Sequence, residues 1–142
     1  MTHRVVRPAS WHEDEGKLRQ VREAVFICEQ NVPVELEWDE ADKTCIHALV
    51  EDAEGLPLAV GRLLPDGQIG RMAVRREARG QGVGGAVLAF LIGQARQRNF
   101  TEVWLHGQTH AVPFYEQHGF VAEGDIFMEA GIHHRMMRCA LG

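Results

Sequence analysis

The chain has 142 residues, with 15 Lys and Arg set against 20 Asp and Glu for a formal net charge of −5. Its 45% hydrophobic and 25% charged residues exclude wholesale disorder and predict one domain spanning residues 1–142. A nucleic-acid binder needs a basic surplus to meet phosphates, so that partner is excluded, while a small cationic partner is compatible with the balance.

In chain order, residues 3–7 predict a short strand. From about residue 13 to 28, Leu18, Val21, Val25 and Cys28 recur at helical spacing, with Pro33 as a nearby end marker. Residues 29–42 then hold Glu29, Glu35, Glu37, Asp39, Glu40 and Asp42 with no Lys or Arg, and predict a loop or a short helix. Residues 46–50, 58–63 and 69–74 predict three consecutive strands. They are joined by Glu54-Gly55 and Pro65-Asp66-Gly67, and turns this short imply antiparallel pairing. A long helix starts near Gly82, carrying Val83, Ala86, Val87, Phe90 and Leu91 as an apolar stripe, and Asn99 marks its end. Residues 103–105 predict a strand and 111–117 a short helix stopped by Gly119. Residues 120–128 and 134–139 predict the closing strands. The fold class is therefore α/β of the mixed α+β kind, a sheet with helices packed on it.

Cys28, Cys45 and Cys139 are too few and too scattered for a disulfide framework or a thiolate zinc site. No apolar run reaches membrane-spanning length, and the first residues lack a signal-peptide pattern, so the expected location is cytoplasmic with no membrane partner.

The chemistry concentrates after the third meander strand. Arg75-Arg76-Glu77-Ala78-Arg79 leads into Gly80-Gln81-Gly82-Val83-Gly84-Gly85, and a long apolar helix follows. A helix N-terminus presents unsatisfied N–H donors and a partial positive charge, and glycines let an anion approach the backbone. The segment therefore predicts a phosphate cradle. Gly80, Gly82 and Gly85 fit the spacing of a dinucleotide fingerprint, but in that motif the first glycine follows its strand almost directly, and here five residues intervene. The Gly-Lys-Ser/Thr of a P-loop is absent.

Arg79-Gly80-Gln81-Gly82-Val83-Gly84 resembles the R/Q-x-x-G-x-G/A signature of the GNAT acetyltransferases, with Met72-Ala73-Val74 standing where their cofactor-binding strand does. Ala111-Val112-Pro113-Phe114-Tyr115-Glu116-Gln117-His118-Gly119-Phe120 is similar to their A-x-x-x-Y-x-x-x-G-F segment. The stretch Val25 to Pro33, with His47 and Glu129-Ala130-Gly131-Ile132-His133-His134, looks like the small bacterial ElaA-type branch. The resemblance implies a mostly antiparallel, splayed sheet with helices on both faces, and acetyl-CoA as cosubstrate without a metal. It implies that backbone groups of Met72 and Val74 hold the pantetheine arm, that the Val74 amide polarises the acetyl carbonyl, and that Arg79 with the amides of Gly80 to Gly84 holds the pyrophosphate. It assigns Tyr115 as the general acid and the 29–42 segment as the acceptor wall. Gln108 stands where many members carry Asn, an amide on a longer arm. A homodimer is compatible with the family.

Acetyl transfer to an amine needs a neutral nitrogen. At pH 7 only about one in 10³ of lysine-like amines is neutral, and losing the proton costs roughly 4–5 kcal/mol. Glu29, Asp39, Asp42, His47, His106, His110 and His134 are the candidate bases. Glu29 serves as base or substrate wall, and Asp39, Asp42 and His134 serve as substrate residues. The expected function is an acyl-CoA-dependent N-acetyltransferase acting on a primary amine of a small molecule or peptide. A non-catalytic CoA-binding module of the same fold is the alternative. A metal site on His106, His110, His133 and His134 is rejected, because His106-x-x-x-His110 suits a metal only on a helix and the region reads as strand.

Overall fold

A computed structural model describes residues 5–34 and 39–142. Glu35, Glu37 and the first residues of the expected opening strand lie outside the described residues. The chain runs β1 (Val5–Ala9), α1 (Trp11–Arg22), a π-helical stretch (Glu23–Glu29), a 3-10 turn (Glu40–Lys43), β2 (Ile46–Glu51), β3 (Pro57–Leu63) and β4 (Ile69–Val74). It continues with α2 (Val83–Gln97), β5 (Glu102–Gln108), α3 (Val112–Gln117), β6 (Val121–Glu129) and β7 (Ile132–Ala140). The expected strands and helices are all present. The first helix begins earlier than expected, and its C-terminal half widens into π geometry. The strand expected at 103–105 extends to Gln108, because β7 pairs with it along its whole length, from Glu102↔Ala140 to Gln108↔His134.

The strands form two antiparallel sheets, β1-β2-β3-β4 and β5-β7-β6. Between them β4 and β5 run parallel and meet at a single bridge, Gln68↔Trp104, where the Trp104 amide donates to the Gly67 carbonyl at 3.1 Å. Beyond that point β4 is bent away. Its pairing with β3 jumps from Val60↔Ala73 to Arg62↔Gly70, and the extra residue, Arg71, takes φ 49°. A bulge of this kind bends and twists its strand, so β4 and β5 part into a V.

Strand alternation sends side chains to two cores. Leu49, Val60 and Ala73, in register across β2, β3 and β4, face α1 and pack with Leu18, Val21, Val25 and Phe26. The intervening Ala48, Val50 and Ala59 face α2 and pack with Val83, Val87, Leu88 and Leu91. The α2 helix lies so close to β3 that a Cβ on Gly61 would come within 2.7 Å of a Val87 methyl. The helices therefore cover both faces, and the V opens toward both.

Candidate active site

The V holds a cavity of about 1200 Å³. Its donor-side wall is the loop leading into α2. Gly80 at φ 75° and Gly82 at φ 78° adopt left-handed backbone, and a Cβ built on either would point into open space. Gly82 is the N-cap of α2, so the first-turn amides of that helix point outward beside it. Gly80, Gly82, Val83, Gly84 and Arg79 line the cavity. Gln81 does not; its side-chain amide turns back to the Glu77 carbonyl at 3.2 Å.

Along β4 the backbone divides its hydrogen bonds by alternation. The Arg75 amide donates to Leu58 O on β3, at 2.9 Å. The neighbouring Val74 amide and carbonyl therefore face the opposite edge, toward the gap. Arg79 caps that carbonyl, its Nε donating to Val74 O at 3.0 Å. Met72, Ala73 and Val74 all line the cavity.

Tyr115 reaches the same gap from α3. Its ring rests on β5 where Gly107 provides room, since a Cβ there would be 3.2 Å from the ring. Phe114 and Phe120 flank it at 5.1 and 6.0 Å between centroids. Its hydroxyl makes no hydrogen bond among the described residues, and burial pushes its pKa up to about 12. The phenol therefore keeps its proton across the physiological range.

The opposite mouth of the V is lined by Phe26, Gln30, His106, Glu129, Ile132 and His134. The Gln30 and Gln108 amides exchange hydrogen bonds at 3.0 and 3.3 Å, tying the helical wall to the end of β5. Gln108 thus lies in the cavity wall with its amide engaged by Gln30. His134 donates from Nδ1 to Ile132 O at 2.7 Å, because a carbonyl only accepts, so in the neutral ring the lone pair is on Nε2. His106 Nδ1 lies 2.7 Å from Glu129 Oε2. Phe127 stands between the two imidazoles, edge-on to His106 at 5.0 Å and stacked on His134 at 5.9 Å.

The carboxylates expected to serve the acceptor are placed differently. Asp42 is 1% exposed and holds Arg22 and Arg62 at 2.8 Å each, outside the cavity lining. An isolated buried guanidinium would be costly, so the Asp42 side chain is spent on neutralising charge. Asp39 pairs with Arg62 and Arg71 at 2.7 and 3.3 Å, which holds its pKa below the usual range, and it too is absent from the lining. Glu29 does reach the cavity, but both its oxygens are held by Arg79 at 2.7 and 2.9 Å. Arg79 holds the Glu29 pKa down, so Glu29 forms wall and is a poor proton acceptor. His47, outside the cavity lining, is 1% exposed; its Nε2–H donates to the Asp42 carbonyl at 2.8 Å and its ring stacks on Trp11. Among the described residues no group of three or more His, Cys, Asp or Glu is arranged to hold a metal ion, and no helix is long and apolar enough to cross a membrane.

Glu129, Gln30 and Phe26 are among the cavity residues that sequence reasoning missed as site residues. Glu129 ends β6 at a two-residue hairpin, Ala130-Gly131, both at positive φ. The dipeptide before Ile132 was a hairpin signal that could have placed Glu129 on the rim.

A profile described as "Acetyltransferase (GNAT) domain" matches residues 14–141. A Bacillus subtilis protein described as "Uncharacterized N-acetyltransferase YjcF" is 40% identical over 121 residues, covering 82% of this chain and 86% of that protein. The crystal structure of an acyl-CoA N-acyltransferase from Pseudomonas aeruginosa superposes with a TM-score of 0.83 at 29% identity, covering 97% of this chain and 100% of that one. Escherichia coli ElaA superposes with a TM-score of 0.84 at 27% identity, covering 95% and 99%.

Proposed function

The chain belongs to the GNAT acetyltransferase family, and from that premise we propose that it moves an acetyl group from acetyl-CoA to a primary amine of a small molecule or peptide. The observation that carries this reading is the V between β4 and β5, which opens to both faces of the sheet. A loop with two left-handed glycines and the start of α2 stands on one side, and a protonated phenol stands in the gap.

The residues fit the cosubstrate. The space left by the missing Cβ atoms of Gly80 and Gly82 admits a diphosphate against helix-terminal amides, and Arg79 adds charge. Acetyl-CoA supplies an acyl group already activated as a thioester. The unpaired edge of β4 offers peptide groups to an extended arm, as an added strand would use them. The Val74 amide, aimed into the gap, donates to the acyl oxygen as negative charge develops there, an interaction commonly worth about 2.7–4 kcal/mol. Tyr115 delivers its proton to the departing sulfur. The burial that raises the phenol pKa also raises the proton affinity of a thiolate in the same place, so the transfer does not run against the gradient that water would impose.

Two measurements test the reading. Calorimetry with acetyl-CoA should give saturable binding, and a screen of primary amines monitored by thiol release should return an acceptor. No heat with CoA or acetyl-CoA at millimolar concentration would remove it.

A further inference from the structure

Alternation along β5 separates its side chains by face. Leu105 and Gly107 turn toward α2 and α3, with Tyr115 packed on Gly107, while His106 turns to the opposite face, among Trp104, Phe127 and Glu129. Acid and imidazole thus flank one gap from its two sides, and the cavity is continuous between them. Building on the acyltransferase reading, we propose that His106 is the general base that takes the proton from the acceptor ammonium, and that Glu129 is the positioning residue that sets its tautomer.

The geometry assigns the roles. A carboxylate only accepts hydrogen bonds, so the 2.7 Å contact with Glu129 Oε2 puts a proton on Nδ1, and in the neutral ring the lone pair is then on Nε2. Nε2 makes no hydrogen bond among the described residues. Once Nε2 gains a proton, the imidazolium lies against a carboxylate that offsets its charge. His134 has a similar tautomer, but its Nδ1 partner is a neutral carbonyl, and it is buried where His106 is half-buried. Phe127, wedged between the two rings, fixes the plane of each.

The step balances. His106 Nε2 takes one proton from the ammonium, and the neutral nitrogen bonds to the acyl carbon. The C–S bond breaks with its electron pair going to sulfur, which takes the Tyr115 proton. The second proton shed by the nitrogen restores the phenol, and the His106 proton passes to water, so each turnover yields amide, thiol and one proton.

Two measurements on the full chain test this. In ¹⁵N-histidine spectra of the acetyl-CoA complex, His106 (assigned with His106→Gln) should show a protonated Nδ1 and an unprotonated Nε2, and Glu129→Leu should abolish that preference. A His106 that carries its proton on Nε2, or that is an imidazolium at pH 7.5, overturns the proposal. Methylamine and hydroxylamine, nearly equal in shape, then separate base catalysis from packing, because only methylamine is protonated at neutral pH. His106→Ala should lower methylamine turnover by about 100-fold or more and hydroxylamine turnover by less than about threefold, with added imidazole restoring part of the loss. Equal losses, no loss, or a loss confined to His134→Ala overturn it. A wild-type protein that binds acetyl-CoA but acetylates neither amine counts against the acyltransferase reading instead, and the spectra still decide the pairing.

Discussion

Tyr115 shows how much a single side chain takes from its surroundings. Burial among Phe114, Phe120 and β5 pushes its pKa up to about 12, so the proton it would donate is retained to well above neutral pH. Tyr115→Phe keeps the ring and removes the proton. It should lower turnover by about 100-fold or more while leaving acetyl-CoA affinity within about twofold, read by thiol release beside calorimetry. Unchanged turnover would take Tyr115 out of the mechanism and favour a binding module. Surroundings decide the part played by the acidic run as well. Asp42 and Asp39 stand in a run of six acids, which in sequence looks like an exposed wall. The partners that neutralise them, Arg22 on α1 and Arg62 on β3, are 20 or more residues away along the chain. No local pattern announces such a pair.

Among elements, the loop into α2 was legible because its chemistry is local. Glycine spacing, arginines and a following apolar run sit in one short stretch, and each has its own physical consequence. Gly82→Ala should test that reading. A Cβ at φ 78° costs about 1 kcal/mol or more of folding free energy and fills the space left for the anion, so acetyl-CoA should bind at least about tenfold more weakly. Gly93→Ala is the contrast: in the interior of α2, with nothing near its missing Cβ, it should stabilise by about 0.5–1 kcal/mol, read from urea midpoints, and leave acetyl-CoA affinity as it is. The end of β5 was less legible. His106, Gly107 and Gln108 lack a clear apolar alternation of their own and become strand because β7 pairs with them. The π-helical stretch Glu23–Glu29 was equally hidden. Its apolar residues fit ordinary helical spacing, and the extra residue per turn that carries Phe26, Glu29 and Gln30 to the cavity wall is a response to packing on β4.

For the molecule as a whole, the α1 core is closed off by the buried cluster of Arg22, Asp42, Arg62 and His47. Burial is the main cause holding the His47 pKa below its ordinary value; the hydrogen bond to the Asp42 carbonyl and the Asp42 charge oppose it, and the Arg22 and Arg62 charges add smaller contributions in the direction of burial. The sign follows from linkage. Above about pH 6.5 both folded and unfolded chains keep His47 neutral. As pH falls below that value the unfolded chain gains the proton and the folded one does not, so stability falls. Urea midpoints should therefore drop between pH 7 and 5.5, with a contribution of at most about 1.4 kcal/mol per pH unit from this site. His47→Gln, whose amide can still donate to the Asp42 carbonyl, should flatten that slope. The carboxylates whose pKa values are lowered, Asp14, Glu29, Asp39 and Glu51, act in a more acidic window, below their unfolded values near 4.

The amino-acid order by itself determined the elements, the meander, the cradle with its helix and the tyrosine segment, because each of these rests on periodicity, turn chemistry or motif spacing within a few tens of residues. Only the tertiary structure decided which side chains meet at the gap. The bulge at Arg71 parts β4 from β5, and the pairing of β5 with β7 sets which face each residue takes. The hairpin at Ala130-Gly131 brings Glu129 to His106 across 23 positions. Contacts of that kind depend on strand register and on the neutralisation of buried charge, which are properties of the assembled sheet and not of any segment in it.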